Sequence, residues 1–150
     1  WVFVKKWQDQ HGNAPRGMNV LCRASTNAAN TGFLLWFDNS GYLKCELDVG
    51  NSGGVLDTGL EYNFKQGEWN HIAVTRASGA AKLFVNGIVR AQIASNSTNI
   101  SGNGDLIIGS DINHTAYFYK GFISNLRVIK GSAEYTSSAS NGQFAFDPPF

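Results

Sequence analysis

The sequence predicts an all-β protein built as a sandwich of two antiparallel sheets, and three observations carry that reading. Helical periodicity is nearly absent from the 150 residues. Short runs rich in β-branched and aromatic residues recur between turn signals. The runs are many, short and regularly spaced, without the helical crossovers a parallel sheet needs.

In chain order the expected strands are Trp1–Lys6, Val20–Ala24, Gly32–Asp38, Tyr42–Val49 and Trp69–Ala77, then Lys82–Val85, Ile88–Ala94, Asp105–Gly109 and Gly121–Lys130. Asn39-Ser40-Gly41 reads as a tight connection. Asn86-Gly87 is the sharpest local signal, because a two-residue type I′ turn needs positive φ at both central positions and Asn and Gly tolerate it. Stretches 13–17, 50–54 and 96–104 read as loops. The tail 142–150 ends in Asp147-Pro148-Pro149, which cannot continue a central strand. With no repeat, linker or low-complexity tract, residues 1–150 form one domain.

Composition narrows the function. Twelve Lys+Arg against 11 Asp+Glu give a net charge of +1, and the only adjacent basic pair is Lys5-Lys6, so no nucleic-acid partner is expected. Charged residues make up 15% and aromatics 13%, the reverse of a disordered chain. The longest apolar run, Phe33 to Phe37, is far too short to cross a membrane as a helix, so no membrane insertion is expected. Cys22 and Cys45 fall on strands separated by a third, about 10 Å apart and beyond disulfide reach, so both are expected as free buried thiols. The three Asn-x-Ser/Thr sequons, at Asn96, Asn99 and Asn113, arise easily in a chain this rich in Asn and Ser.

Three segments, taken together, resemble a family. They are Gly67-Glu68-Trp69-Asn70-His71-Ile72-Ala73-Val74-Thr75-Arg76; Lys82-Leu83-Phe84-Val85-Asn86-Gly87-Ile88-Val89; and Leu106-Ile107-Ile108-Gly109 with Tyr119 to Val128 and Ala133-Glu134-Tyr135-Thr136. In that order they resemble the laminin-G-like, concanavalin A-like jelly-roll superfamily, over essentially the whole chain. The variant Leu126 to Gly131 followed by Ala133 to Thr136 is similar to modules of bacteriophage tail and other virion proteins. The resemblance implies a jelly roll, and a location on the virion or, alternatively, outside the cell. It also implies a strand ahead of Trp1, so the chain is expected to lack its first strand or strands and to be part of a longer polypeptide. The missing strand would come from upstream sequence or an adjacent subunit, leaving Gln143-Phe144-Ala145-Phe146 without a neighbour.

Alternation along Trp69–Arg76 sets Trp69, His71, Ala73 and Thr75 on one face and Ile72 and Val74 on the other, and Trp69 is expected in the core. His71 is expected as a sandwich-core or sheet-face histidine without a catalytic role. Glucanases of this jelly roll carry three carboxylates at alternate strand positions. Here Glu46 and Asp48 match two of them, but Gly50 and Asn51 stand where the third belongs, and neither moves a proton. No enzymatic activity is expected.

What remains are loops. Asp38, Asn39 and Ser40, and Asp111, Ile112 and Asn113, offer carboxylate and amide oxygens of the kind calcium takes. The candidate metal set is therefore Asp111, Asp38, Asn39 and Asn113, with calcium as the only cofactor. Of Tyr117, Phe118 and Tyr119 after the second loop at least one is expected in the core; Tyr117, Tyr119 and Asn113 are the candidate ligand contacts, since exposed aromatics stack on sugars or anchor partners. The expected function is a non-catalytic attachment module for a host-surface glycan or receptor in a phage tail fibre. The alternative is a structural decoration module that contacts a neighbouring virion protein. Either would work within a homo-oligomeric assembly.

Overall fold

The computed structural model describes residues 1–5, 17–24, 32–47, 54–59, 64, 67–96, 100 and 104–149. Eleven strands lie among them: β1 Val2–Val4, β2 Met18–Ala24, β3 Gly32–Phe37, β4 Leu43–Leu47, β5 Val55–Asp57, β6 Trp69–Asn70, β7 Ile72–Ala77, β8 Ala80–Val85, β9 Ile88–Ile93, β10 Leu106–Ile108 and β11 Gly121–Ile123. All pairings are antiparallel, in the orders β10-β2-β3-β4-β5, β11-β1-β6 and β7-β8-β9. The last two sets form one layer. Only His71 separates β6 from β7, and its carbonyl accepts from Asn86 N at 2.9 Å, which continues the β8 ladder.

The core lies between that layer and the five-stranded sheet. Val2, Val4, Leu83 and Val85 meet Met18, Leu35, Phe37, Leu43, Cys45, Leu47 and Leu56, as strand alternation requires. Cys22 on β2 and Cys45 on β4, with β3 between them, are free and buried. Asn86 (φ 51°) and Gly87 (φ 77°) make the β8–β9 turn.

Four expectations need correction. Trp69 is not core: it pairs with Phe3, both point away from the core that takes Val2 and Val4, and Trp69 is 46% exposed. The alternation was sound, and Ile72 and Val74 do pack on the core. Strand β5 was not anticipated; three residues after a Gly-rich stretch carry little pattern. The last strand stops at Ile123 rather than Lys130, since Asn125 takes φ 50° and breaks the extended chain. The tail has a neighbour: Gly142 N donates to Val89 O (2.7 Å), Val89 N to Gln143 O (3.1 Å) and Ala145 N to Gly87 O (2.8 Å). Residues 6, 48 and 49, expected in strands, and Asp48, Gly50, Asn51 and Asn99 lie outside the described residues.

The tail then crosses the outer face of β7 and β8. Thr75 Oγ1 donates to Tyr135 O at 3.0 Å, and Lys82 Nζ donates to Ser137 O and, at 2.8 Å, to Ala139 O. Under it Phe84 is fully buried, outside the central core.

Candidate functional site

The two predicted loops stand at one end of the five-stranded sheet. Asp38 Oδ1 accepts from Ser40 N (2.9 Å) and Tyr42 N (3.0 Å), which closes the β3–β4 turn. Its other oxygen meets Lys44 Nζ at 3.0 Å, and the same ammonium lies 3.1 Å from Asp57. Burial works against the Lys44 charge, but hydrogen bonds and attraction from Asp38 and Asp57 prevail and raise its pKa. Asp111 Oδ1 accepts from Thr115 N (2.8 Å) and Ala116 N (2.9 Å), and Thr115 Oγ1 donates to Oδ2 at 3.4 Å. Burial opposes ionisation there, yet these donors hold the carboxyl below the usual range.

These residues do not fit one shared calcium ion. β2 runs between the loops, since Asp38 follows Phe37, the partner of Met18, while Ser110 O accepts from Asn19 Nδ2 on the other side. Two strand spacings amount to about 10 Å, whereas each ligand must come within about 2.6 Å of the ion. Each carboxylate turns into its own loop, and Asp38 already faces a cation. Among the described residues no three His, Cys, Asp or Glu side chains gather as a metal site. Asn39 and Asn113 are exposed.

Tyr117 is exposed at φ 55°, and its carbonyl accepts from Asn19 N at 2.9 Å. Tyr119 corrects its expectation as a ligand contact. Its ring stacks on Phe37 at 6.4 Å in the core, and its hydroxyl is buried without a hydrogen-bond partner, so burial drives its pKa up.

A second arrangement escaped sequence reasoning. Phe3 lies opposite Trp69 on one side and Phe122 on the other, so one row of rings crosses β6, β1 and β11 on the outer face. Centroids are 5.5 Å apart for Phe3–Trp69 and 5.8 Å for Phe3–Phe122, close to the strand spacing that sets them. Phe122 is 51% exposed, and Lys5 Nζ stands 4.3 Å from its ring centroid. The signal was available: Val2 and Val4 claim the core face of β1, and parity sends Phe3 outward with its partners.

His71 continues the outer face, boxed edge-on by Trp1 (5.3 Å), Phe146 (5.8 Å) and Tyr135 (6.1 Å). It is 8% exposed, and its Nδ1 has no hydrogen-bond partner. Burial, then the nearby amino terminus, lowers its pKa. Closed in by rings, it is a packing group. Glu46 sits on the outer face of β4 in register with Leu34 and Val55, neither of which can share proton transfer.

Sheet order, shared core and antiparallel pairing make this a jelly-roll sandwich. The chain belongs to the concanavalin A-like lectin/glucanases superfamily, whose laminin-G model matches residues 6–134. No curated protein sequence matches it. Among solved structures it is similar to the CBM40 of Ruminococcus gnavus IT-sialidase, bound to alpha2,6 sialyllactose. That likeness has a TM-score of 0.52 at 21% identity and covers 75% of this chain and 66% of that one. The chain thus spans just under two thirds of that structure, and the likeness is one of fold.

Proposed function

We propose that the protein is a non-catalytic module that binds glycan through the ring row Trp69–Phe3–Phe122. The exposure of Trp69 and Phe122 on either side of half-buried Phe3, across three paired strands, carries the reading. Aromatic faces cover the apolar side of a sugar, and a rigid sheet holds them in place without an ordering penalty. Support also comes from the sugar-bound CBM40 that shares the fold. The two-carboxylate remnant at Glu46 and Asp48 supports the absence of catalysis.

The setting we propose is a phage tail fibre or other virion protein, acting in a homo-oligomeric assembly on host-surface glycans. Asn113 and Tyr117 are proposed as a secondary contact. Calcium is confined in this proposal to the Asp111 loop. A millimolar excess that raises Tm would support it, because a ligand bound only by the folded state must stabilise it.

A glycan array followed by titration of the best binder tests the reading. Trp69→Ala should weaken binding at least tenfold while costing only about 1–2 kcal/mol of stability, since the side chain is half exposed. Tyr117→Ala measures the loop's share. Unchanged affinity in Trp69→Ala, or no glycan retained at all, overturns the proposal.

A further inference from the structure

The two ends of the ring row differ in charge. The register Phe3↔Phe122 and Val4↔Gly121 continues by one step, because Lys5 N donates to Lys120 O at 2.8 Å. Lys5 therefore stands opposite Lys120. Alternation places Lys5 on the same face as Phe3, and Lys120 on the same face as Phe122, so both side chains share the outer face with the rings. The Lys5 ammonium, 4.3 Å from the Phe122 centroid, is where that alternation puts it. Lys5 is exposed and Lys120 half-buried.

Like charges directly opposite each other across a strand pair are unfavourable, and an anion between them relieves the repulsion. No acidic residue occurs in 1–5 or from 112 to 133. Glu134, the next acid along the chain, stands beside Arg127 at 3.7 Å, and Glu68 precedes Trp69 at the far end of the row. Among the described residues the outer face is cationic over β1 and β11 and loses that character toward β6.

We propose that the glycan taken by the ring row is acidic, with a sugar carboxylate that lies over β11 and meets the ammonium groups of Lys120 and Lys5. This rests on the glycan reading and adds the chemical class of the ligand. The rings cover the apolar side that any pyranose offers, so they select little among sugars. Charge selects. The contact of Lys5 with the Phe122 ring keeps its ammonium beside the row before a ligand arrives, which lowers the ordering cost. Both lysines keep contact with water, so the gain is modest and screened by salt. The orientation of the ligand follows as well: neutral units on Phe3 and Trp69, the acidic unit at Phe122.

The test titrates the protein with two acidic trisaccharides, glucuronosyl-xylobiose and sialyllactose, and with the methyl ester of each, which keeps the shape and removes the charge. The two pairs separate a uronic acid from a sialic acid as the source of the carboxylate. At low salt at least one acid should bind about fivefold or more tighter than its ester, and molar salt should erase the difference. Lys120→Gln should remove most of that preference and Lys120→Glu should reverse it, and neither should lower Tm, since each relieves the repulsion with Lys5. Trp69→Ala should instead weaken acid and ester by the same factor. Equal binding of acid and ester, or a preference untouched by Lys120→Glu, overturns the acidic ligand and leaves the ring row as a glycan site if Trp69→Ala still weakens binding. Retention of none of the four sugars at millimolar concentration also overturns it, and the glycan array then decides the ring row separately.

Discussion

Tyr135 and Phe146 stack face to face, with centroids 3.7 Å apart and planes within 5°. Eleven positions apart in sequence, they form one lid over Phe84, whose ring lies 6.2 Å from Tyr135 and 5.2 Å from Phe146. The tail is thus a third layer, held by rings and by Lys82 rather than by a long ladder. Removing one ring uncovers a fully buried phenylalanine on the far side of β8 from the main core.

Phe146→Ala is expected to destabilise the protein by about 2–3 kcal/mol, below the range for a fully buried Phe because Phe146 is half-buried. Phe144→Ala, one alternate position away and 59% exposed, should change stability by less than about 0.5 kcal/mol. Urea unfolding of the two variants measures the contrast, and equal losses would mean that the lid does not act as a unit.

Much of this was legible in the sequence. Leu83 and Val85 alternate with Lys82 and Phe84, and Asn86-Gly87 fixes the register, so the β8–β9 hairpin could be read directly. The tail could not. A segment whose only ladder is a few bonds to residues 87–89 has no period, and the pairing of Tyr135 with Phe146 is a tertiary event. Trp69 departs from expectation for another reason: alternation gives two faces but not which one is covered, and the chemistry of a large apolar ring points inward whichever face lies open. The Asp38 and Asp111 turns are marked in the sequence by their Asp, Asn and Ser residues, but the hydrogen bonds that turn each carboxylate into its own loop are set by backbone geometry that composition does not carry.

The pH dependence of stability follows from His71. Its folded pKa lies below the ordinary 6.5, through burial and then the amino terminus. The unfolded chain therefore takes up the proton first as pH falls, and the stabilisation present above 6.5 is lost between 6.5 and the folded value. The urea midpoint should fall as pH drops from about 8 to about 5, the range over which histidine titrates. In His71→Phe, which keeps the aromatic box, the slope in that window should flatten. A midpoint equally pH-dependent in both proteins would remove His71 as the cause.

Both cysteines should resist alkylation in the folded protein. Burial, then the neighbouring Glu46, pushes the Cys45 thiol up to about 12. Burial, then Asp111, raises Cys22, whose Sγ lies 3.6 Å from Ser110 O. The thiolate is the nucleophile, so neither site offers it at neutral pH. Iodoacetamide should modify no more than trace protein without denaturant and both cysteines in urea. Rapid labelling of Cys45 under native conditions would show that the β3–β4–β5 region opens readily.

Two glycines with the same backbone sign separate local strain from tail packing. Gly87 has φ 77° and Gly142 φ 79°, so alanine at either place adopts a left-handed conformation, which costs about 1–2 kcal/mol. Around Gly142 a Cβ would meet open space. At Gly87 it would collide with the carbonyl oxygen of Phe146, because the tail passes directly over the turn and Ala145 N bonds to Gly87 O. Gly142→Ala should therefore show the backbone strain alone. Gly87→Ala should lose about 1–2 kcal/mol more, as the tail lifts and takes Phe146 off Phe84. Hydrogen exchange should distinguish the variants as well, with the Val89 and Ala145 amides deprotected only in Gly87→Ala. Matching losses in the two variants would mean that Gly87 serves the hairpin turn and nothing else.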